Sequence, residues 1–170
     1  MITIGWTGSH STIPYLSTLF PVFSRLNEKF PDQWRLLVIA DKAPDFKLDN
    51  LEFKKWSKET EIEDLLQFDI GIMPLIDDAW ARGKCGFKSL QYMSLEIPAL
   101  ASPVGVNQTM IDQGINGYLC TTENDWLISL EQLMFDPLLR KNIGARGREK
   151  VVSNYSVISN SSNFLGLFSL

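Results

Sequence analysis

The sequence predicts an α/β domain with a Rossmann-like, doubly wound and mostly parallel sheet, helices on both faces and an all-helical C-terminal end. Three observations predict it. Short apolar runs suited to strands alternate with helical patterns over roughly the first two thirds of the chain, the signature of repeated βαβ units. The run Leu36-Leu37-Val38-Ile39 is apolar without alternation, as expected of a strand covered on both faces. Beyond Cys120 only helical patterns remain.

Each element has its own reason. Ile2-Thr3-Ile4-Gly5-Trp6 reads as a strand with no preamble, and 7–12 is a Gly, Ser and Thr loop. Pro14 then sits where the first turn of a helix tolerates proline. Ile13, Leu16, Phe20, Phe23 and Phe30 follow helical spacing, and Pro21 should bend or split that helix. Residues 35–40 and 51–56 are the second and third strands, followed by a polar helix over about 58–67. Asp69-Ile-Gly-Ile-Met-Pro-Leu75 is the fourth strand. Residues 76–86 have no apolar period and are expected to form a long loop, a kind that is often functional. A helix over 87–95, a strand over 99–102 entered through Pro98, and a turn at Gly114-Ile-Asn-Gly117 leading to Tyr118-Leu119-Cys120 complete the sheet. Helices are expected over 125–135 and 137–151. The apolar stretch 164–170 either continues a last helix or packs against something absent from the chain.

The chain has 170 residues, a usual size for one domain, so 1–170 is read as a single unit. With 45% hydrophobic and 21% charged residues the composition is globular. A net charge of −4 argues against a nucleic-acid binder held by phosphate neutralisation. Cys85 and Cys120 lack CxxC spacing and His10 is the single histidine, which excludes a disulfide scaffold and a zinc site. No cofactor is expected, and Asp77 and Asp78 have no companion ligands for a metal. The apolar runs are shorter than the ~20 residues of a membrane span. No signal peptide opens the chain, so the cytoplasm is the expected compartment.

In a parallel α/β sheet, ligands bind beyond the carboxyl ends of the strands. Loops 7–12, 76–86 and 103–108 lie there. Ala81-Arg82-Gly83-Lys84-Cys85-Gly86-Phe87-Lys88 places three cations and two glycines at a helix entrance. Free N–H groups at a helix N-terminus attract anions, whereas cations there oppose the dipole. On this segment alone an anion site and a solvated loop are both open. Gly5-Trp6-Thr7-Gly8-Ser9-His10 is neither a GxGxxG fingerprint nor a P-loop, and it fits a phosphate-approaching loop or an ordinary turn. His10 is either an exposed hydrogen-bonding residue or a general base. Trp56 is either a rim aromatic or a platform for a base.

The blocks Asp69-Ile-Gly-Ile-Met-Pro-Leu, Gly83-Lys-Cys-Gly-Phe-Lys-Ser-Leu-Gln-Tyr-Met93, Ile97-Pro-Ala-Leu-Ala-Ser-Pro-Val-Gly105 and Gly114-Ile-Asn-Gly-Tyr-Leu119 together resemble the C-terminal domain of group 1 glycosyltransferases, the family 4 retaining enzymes of GT-B fold. The resemblance covers nearly the whole chain. It implies a domain that holds a nucleotide-diphosphate-sugar donor, with the acceptor (a glycan or a lipid-linked sugar) on an N-terminal domain missing here. It further implies retention of anomeric configuration, charge stabilisation by side chains rather than a metal, and a role in bacterial surface polysaccharide synthesis. The enzyme would be cytoplasmic, peripheral to the inner membrane.

Two departures shape the expected site. The family has two glutamates with seven residues between them, and their places fall on Gly83 and Gln91. The family's cations of the first loop are also missing, leaving His10 alone there. The expected diphosphate site is therefore Gly8, Ser9, Arg82, Lys84 and Lys88. The sugar and ribose would meet Gly83, Gly86, Phe87 and Gln91, and the base would meet Trp56. No catalytic residue is assigned. Two other readings stay open: a non-catalytic nucleotide or sugar-phosphate binding module, and a fragment of a GT-B nucleotide-sugar epimerase.

Overall fold

A computed structural model describes residues 1–168. Six strands form one sheet in the order β3-β2-β1-β4-β5-β6, and every neighbouring pair is parallel. The strands are β1 (Ile2–Gly8), β2 (Trp34–Ala40), β3 (Leu51–Lys55), β4 (Ile70–Met73), β5 (Ala99–Ala101) and β6 (Gly117–Leu119). The order reverses between β1 and β4, which opens a crevice at their carboxyl ends.

Period-two alternation in β2 divides the core. Leu36, Val38 and Ala40 pack into one cluster with Trp6, Leu16, Phe23, Trp126 and Leu130, whereas Leu37 and Ile39 join Leu65, Tyr92, Met93 and Met110 in another. The first cluster lies under a 3-10 helix (His10–Leu19), α1 (Phe20–Lys29) and α6 (Glu123–Phe135). The second lies under α2 (Glu61–Leu65), α4 (Phe87–Ser94) and α5 (Asn107–Met110). Each fully buried Leu or Ile contributes about 1.5–3 kcal/mol, so the central strands hold the three layers together. At the edge β3 carries Glu52, Lys54 and Lys55 and is only partly buried, as charged edges that resist further pairing are.

The helix punctuation follows local chemistry. Pro21 splits the first helical stretch at Leu19–Phe20, with a 3-10 helix before it and an α-helix after. Thr122 and Asp125 close a reciprocal capping box on α6. Asp136 then ends α6 and caps α7 (Pro137–Asn154), whose first residue is a proline. Segment 76–86 is more ordered than expected. It contains α3 (Ala79–Arg82), made by the Asp78 carboxylate accepting from the Ala81 N–H at 2.6 Å, a local cap that an apolar-period search passes over. The polar helix expected over 58–67 shortens to α2. The apolar C-terminal stretch belongs in part to α8 (Val157–Gly166), which buries no residue, and residues 169 and 170 lie outside the described residues.

β1 and β4 pair only through Ile4–Ile70 and Gly5–Gly71. Past that point Tyr92, fully buried on α4, enters the gap. Its hydroxyl accepts from the Thr7 N–H at 3.1 Å and donates to the Ile72 carbonyl at 3.3 Å.

Candidate functional site

The crevice is a cavity of about 700 Å3 at the carboxyl ends of four strands. Gly8 ends β1, Asp41 follows β2, Trp56 follows β3 and Met73 ends β4, and α2 and α4 supply Glu61, Phe87, Lys88 and Gln91. Its size suits a small organic ligand.

One end of the cavity is built around Lys88. The Lys88 ammonium lies 5.4 Å from the Trp6 ring centroid. Burial, reinforced by the nearby Lys84 charge, pulls its pKa down to about 8. Lys84 lies 4.4 Å over the Tyr15 ring, its ammonium is buried without a hydrogen-bond partner, and burial lowers its pKa as well. Among the described residues neither lysine has an ion pair. Two partly buried cations without an ion pair, Lys84 offset only in part by the Asp78 charge, are costly, and an anion would relieve both.

Glycines shape this end. A Cβ at Gly8 would stand 2.5 Å from Trp6 Cη2 and 2.8 Å from Lys88 Cε, so only glycine lets the lysine stem pass the end of β1. Gly86 caps α4 at φ +68°, and a Cβ there would also meet Met110 at 2.6 Å. The backbone N–H groups of the first turn of α4 thereby open onto the cleft, where they favour negative charge.

The opposite walls are acidic. Asp41 accepts from the His10 backbone N–H and pairs with its ring Nδ1, both at 2.6 Å, and these contacts hold its carboxyl below the usual carboxylate range. Glu61 Oε1 accepts from the Trp56 indole N–H at 3.1 Å and from the Gln91 amide at 3.0 Å. Trp56, Glu61 and Gln91 thus form one hydrogen-bonded group from β3, α2 and α4. Among the described residues no group of three His, Cys, Asp or Glu side chains is placed to hold a metal ion.

Of the residues expected from sequence, Gly8, Ser9, Gly83, Lys84, Gly86, Phe87, Lys88, Gln91 and Trp56 all line the cavity. Arg82 does not. Its guanidinium is bound to both Asp77 oxygens at 2.6 and 3.0 Å and is largely exposed outside the lining. Loop 103–108 supports the site from behind: Gly105 lies against the Arg82 backbone, and Val106 and Asn107 face Gly86. Sequence reasoning missed Thr7, Thr12, Asp41, Glu61, Met73 and Cys85 in the lining. Asp41 was findable, since it directly follows the apolar run of β2 and so leaves the sheet at its carboxyl end. Glu61 carries no local signal.

A family model described as "Glycosyl transferases group 1" matches residues 2–136. The chain is 24% identical over 144 residues to "Glycosyltransferase 1 domain-containing protein 1" of Xenopus tropicalis, covering 81% of this chain and 41% of the frog protein. It superposes on a variant of S. aureus TarM, solved with Fondaparinux, alpha-GlcNAc-glycerol and UDP, with a TM-score of 0.79 at 18% identity, over 99% of this chain and 35% of that one. It also superposes on the C-terminal domain of LpcC, a glycosyl transferase group 1 family protein from Francisella tularensis, with a TM-score of 0.71 at 20% identity, over 92% and 87% of the two chains. At these identities the superpositions establish the α/β fold. The chain spans well under half the length of the frog protein and of TarM.

Proposed function

This chain belongs to the group 1 glycosyl transferases, and on that premise we propose that it is the donor-binding domain of a retaining glycosyltransferase using a nucleotide-diphosphate sugar. The observation that carries the reading is the pair of lysines without an ion pair, Lys84 and Lys88, beside the Gly8 backbone at the switch point of the sheet. A diphosphate supplies the missing negative charge. As the glycosidic bond to the departing diphosphate breaks, its charge grows, and lysines fixed before the reaction stabilise that state more than the ground state. Ser9 and the first-turn N–H groups of α4 complete the diphosphate end. Arg82 would join only by releasing Asp77. The sugar would lie along Gly83, Gly86 and Phe87, the ribose near Gln91 and the base on Trp56.

The acceptor, a glycan or lipid-linked sugar, would be held by a separate N-terminal domain. The 41% and 35% coverage of the frog protein and of TarM supports this. Among the described residues no helix is long and apolar enough to cross a membrane. We place the enzyme in the cytoplasm, peripheral to the inner membrane, in bacterial surface polysaccharide synthesis, on the family resemblance alone. Gly83 and Gln91, standing where glutamates are expected, favour a second reading as a non-catalytic nucleotide-binding module.

Calorimetric titration tests the reading. UDP, GDP or ADP should bind with modest affinity in a cleft screened by water on its open side, and the matching nucleoside should bind about tenfold more weakly or worse. Failure of all three diphosphates to bind would overturn it. This chain alone should transfer no sugar, and transfer without an added domain would overturn the separate acceptor domain. Transfer by a longer protein carrying this domain would decide against the non-catalytic module.

A further inference from the structure

We infer that Glu61 is the receptor for the ribose hydroxyls of the ligand, so that the cleft selects ribonucleotides over deoxyribonucleotides. The inference rests on the nucleoside-diphosphate reading above and adds a residue from an element that reading does not use.

The cleft has two acidic side chains, and only Glu61 has an oxygen with no donor at all among the described residues. Both Asp41 oxygens are engaged by His10. Glu61 receives the Trp56 and Gln91 N–H groups on Oε1 alone, and its Oε2 has no hydrogen-bond partner among the described residues. A carboxylate oxygen of a half-buried residue that lines a cavity and receives no protein donor is free to accept from a ligand. In a nucleoside diphosphate the available donors are the ribose hydroxyls and the N–H groups of the base.

Position along α4 favours the ribose. Gln91 is three residues beyond Lys88 on the same helix face, about 4.5 Å along the axis. If Lys88 holds the phosphates, the group one step along the chain from them, the sugar, lies at the level of Gln91 and its partner Glu61. Trp56, tied to the same Glu61 oxygen, is then left to offer its ring to the base.

The carboxylate is also held firmly. Asp64, on the next turn of α2 and almost fully buried, binds the Lys54 ammonium of β3 and accepts from the Thr60 hydroxyl at 2.8 Å. This pins α2 to the sheet edge and sets where Glu61 points. Such an acceptor, borne on a helix with buried support, can tell one hydroxyl from none.

The test is calorimetric titration of UDP, 2′-deoxy-UDP and CDP into the wild type, Glu61→Ala and Glu61→Gln. Wild type should bind UDP about tenfold tighter than 2′-deoxy-UDP, as one charge-assisted hydrogen bond in a cleft open to water predicts. Glu61→Ala should bring that ratio below about twofold. Glu61→Gln keeps an acceptor for the Trp56 N–H and should give an intermediate ratio, and its folding separates loss of the carboxylate from loss of structure. Equal affinities in the wild type, or an unchanged ratio in Glu61→Ala, would overturn the inference and leave the diphosphate reading standing. A Glu61→Ala effect on UDP against CDP, with the deoxy ratio intact, would overturn it by assigning Glu61 to the base. If no nucleoside diphosphate binds the wild type, the diphosphate reading fails and this inference with it.

Discussion

Replacing Lys88 by methionine should make the ligand-free protein more stable and a poorer binder of UDP. Methionine keeps the aliphatic stem that lies against Trp6 and beside Gly8 and removes the charge. Burial first, and Lys84 second, carry the Lys88 amine from its ordinary 10.5 to about 8. The folded state therefore binds the proton more weakly than the unfolded chain does, and at neutral pH the charged amine is held at a cost. That fall corresponds to about 3 kcal/mol, which the open side of the cleft reduces to about 1–2 kcal/mol. The melting temperature should rise by about 2–4 °C for each of those kcal/mol in a chain of this length. UDP, in contrast, loses a charge-assisted hydrogen bond of about 1.5–3 kcal/mol, or about 10- to 150-fold in affinity. Scanning calorimetry and titration read the two effects separately. A lower melting temperature with unchanged UDP affinity would refute the reasoning, because Lys88 would then stabilise the fold and the diphosphate would lie elsewhere.

Three further outcomes follow from the same geometry. Because Lys88 is charged below about pH 8 and loses its proton above it, UDP affinity should fall as pH rises through that value, and binding near pH 8.5 should take up a proton. Titration in buffers of different ionisation heat measures the uptake, and affinity constant from about pH 7 to 9.5 would contradict it. Gly8→Ala forces a Cβ against Trp6 and Lys88, so it should lose about 1–3 kcal/mol of stability along with UDP affinity. An unchanged denaturation midpoint would show that the end of β1 yields freely. Arg82→Ala should leave UDP affinity within about twofold, since its exposed pairing with Asp77 lies outside the cleft. A tenfold loss would show that Arg82 swings inward when the ligand arrives.

The sheet was legible in the sequence because its strands carry contiguous apolar runs, and a run such as 36–39 has one comfortable home, between two helical layers. Pro21 announced the break between the 3-10 helix and α1. The cation wall was legible for a related reason: Lys84, Gly86 and Lys88 are neighbours in the chain, so their meeting at one helix entrance needs no knowledge of tertiary structure. α3 and α5 were hidden because four-residue helices have no period to detect, and α3 depends on the Asp78 cap. The acidic walls were hidden more deeply. Glu61 meets Gln91 across 30 positions and His10 meets Asp41 across 31, and such partners become visible only once the strands are ordered. Arg82 looked equivalent to Lys84 from two residues away, yet Asp77 five positions earlier engages it.

The Tyr92 hydroxyl stands where β1 and β4 would otherwise trade another rung, and it belongs to the helix that carries Lys88 and Gln91. The opening of the crevice and the placement of its cation wall are therefore a single event, completed when the chain folds. A ligand finds the lysine end preorganised and loses little conformational freedom in occupying it, which leaves more of the gross attraction as net affinity. Among the described residues nothing comparable braces the rim at Phe87, which stands exposed beside the open side of the cavity. One half of the site is thus a mould and the other an open rim. Adjustment to a ligand belongs to the rim at Phe87 rather than to the lysine wall.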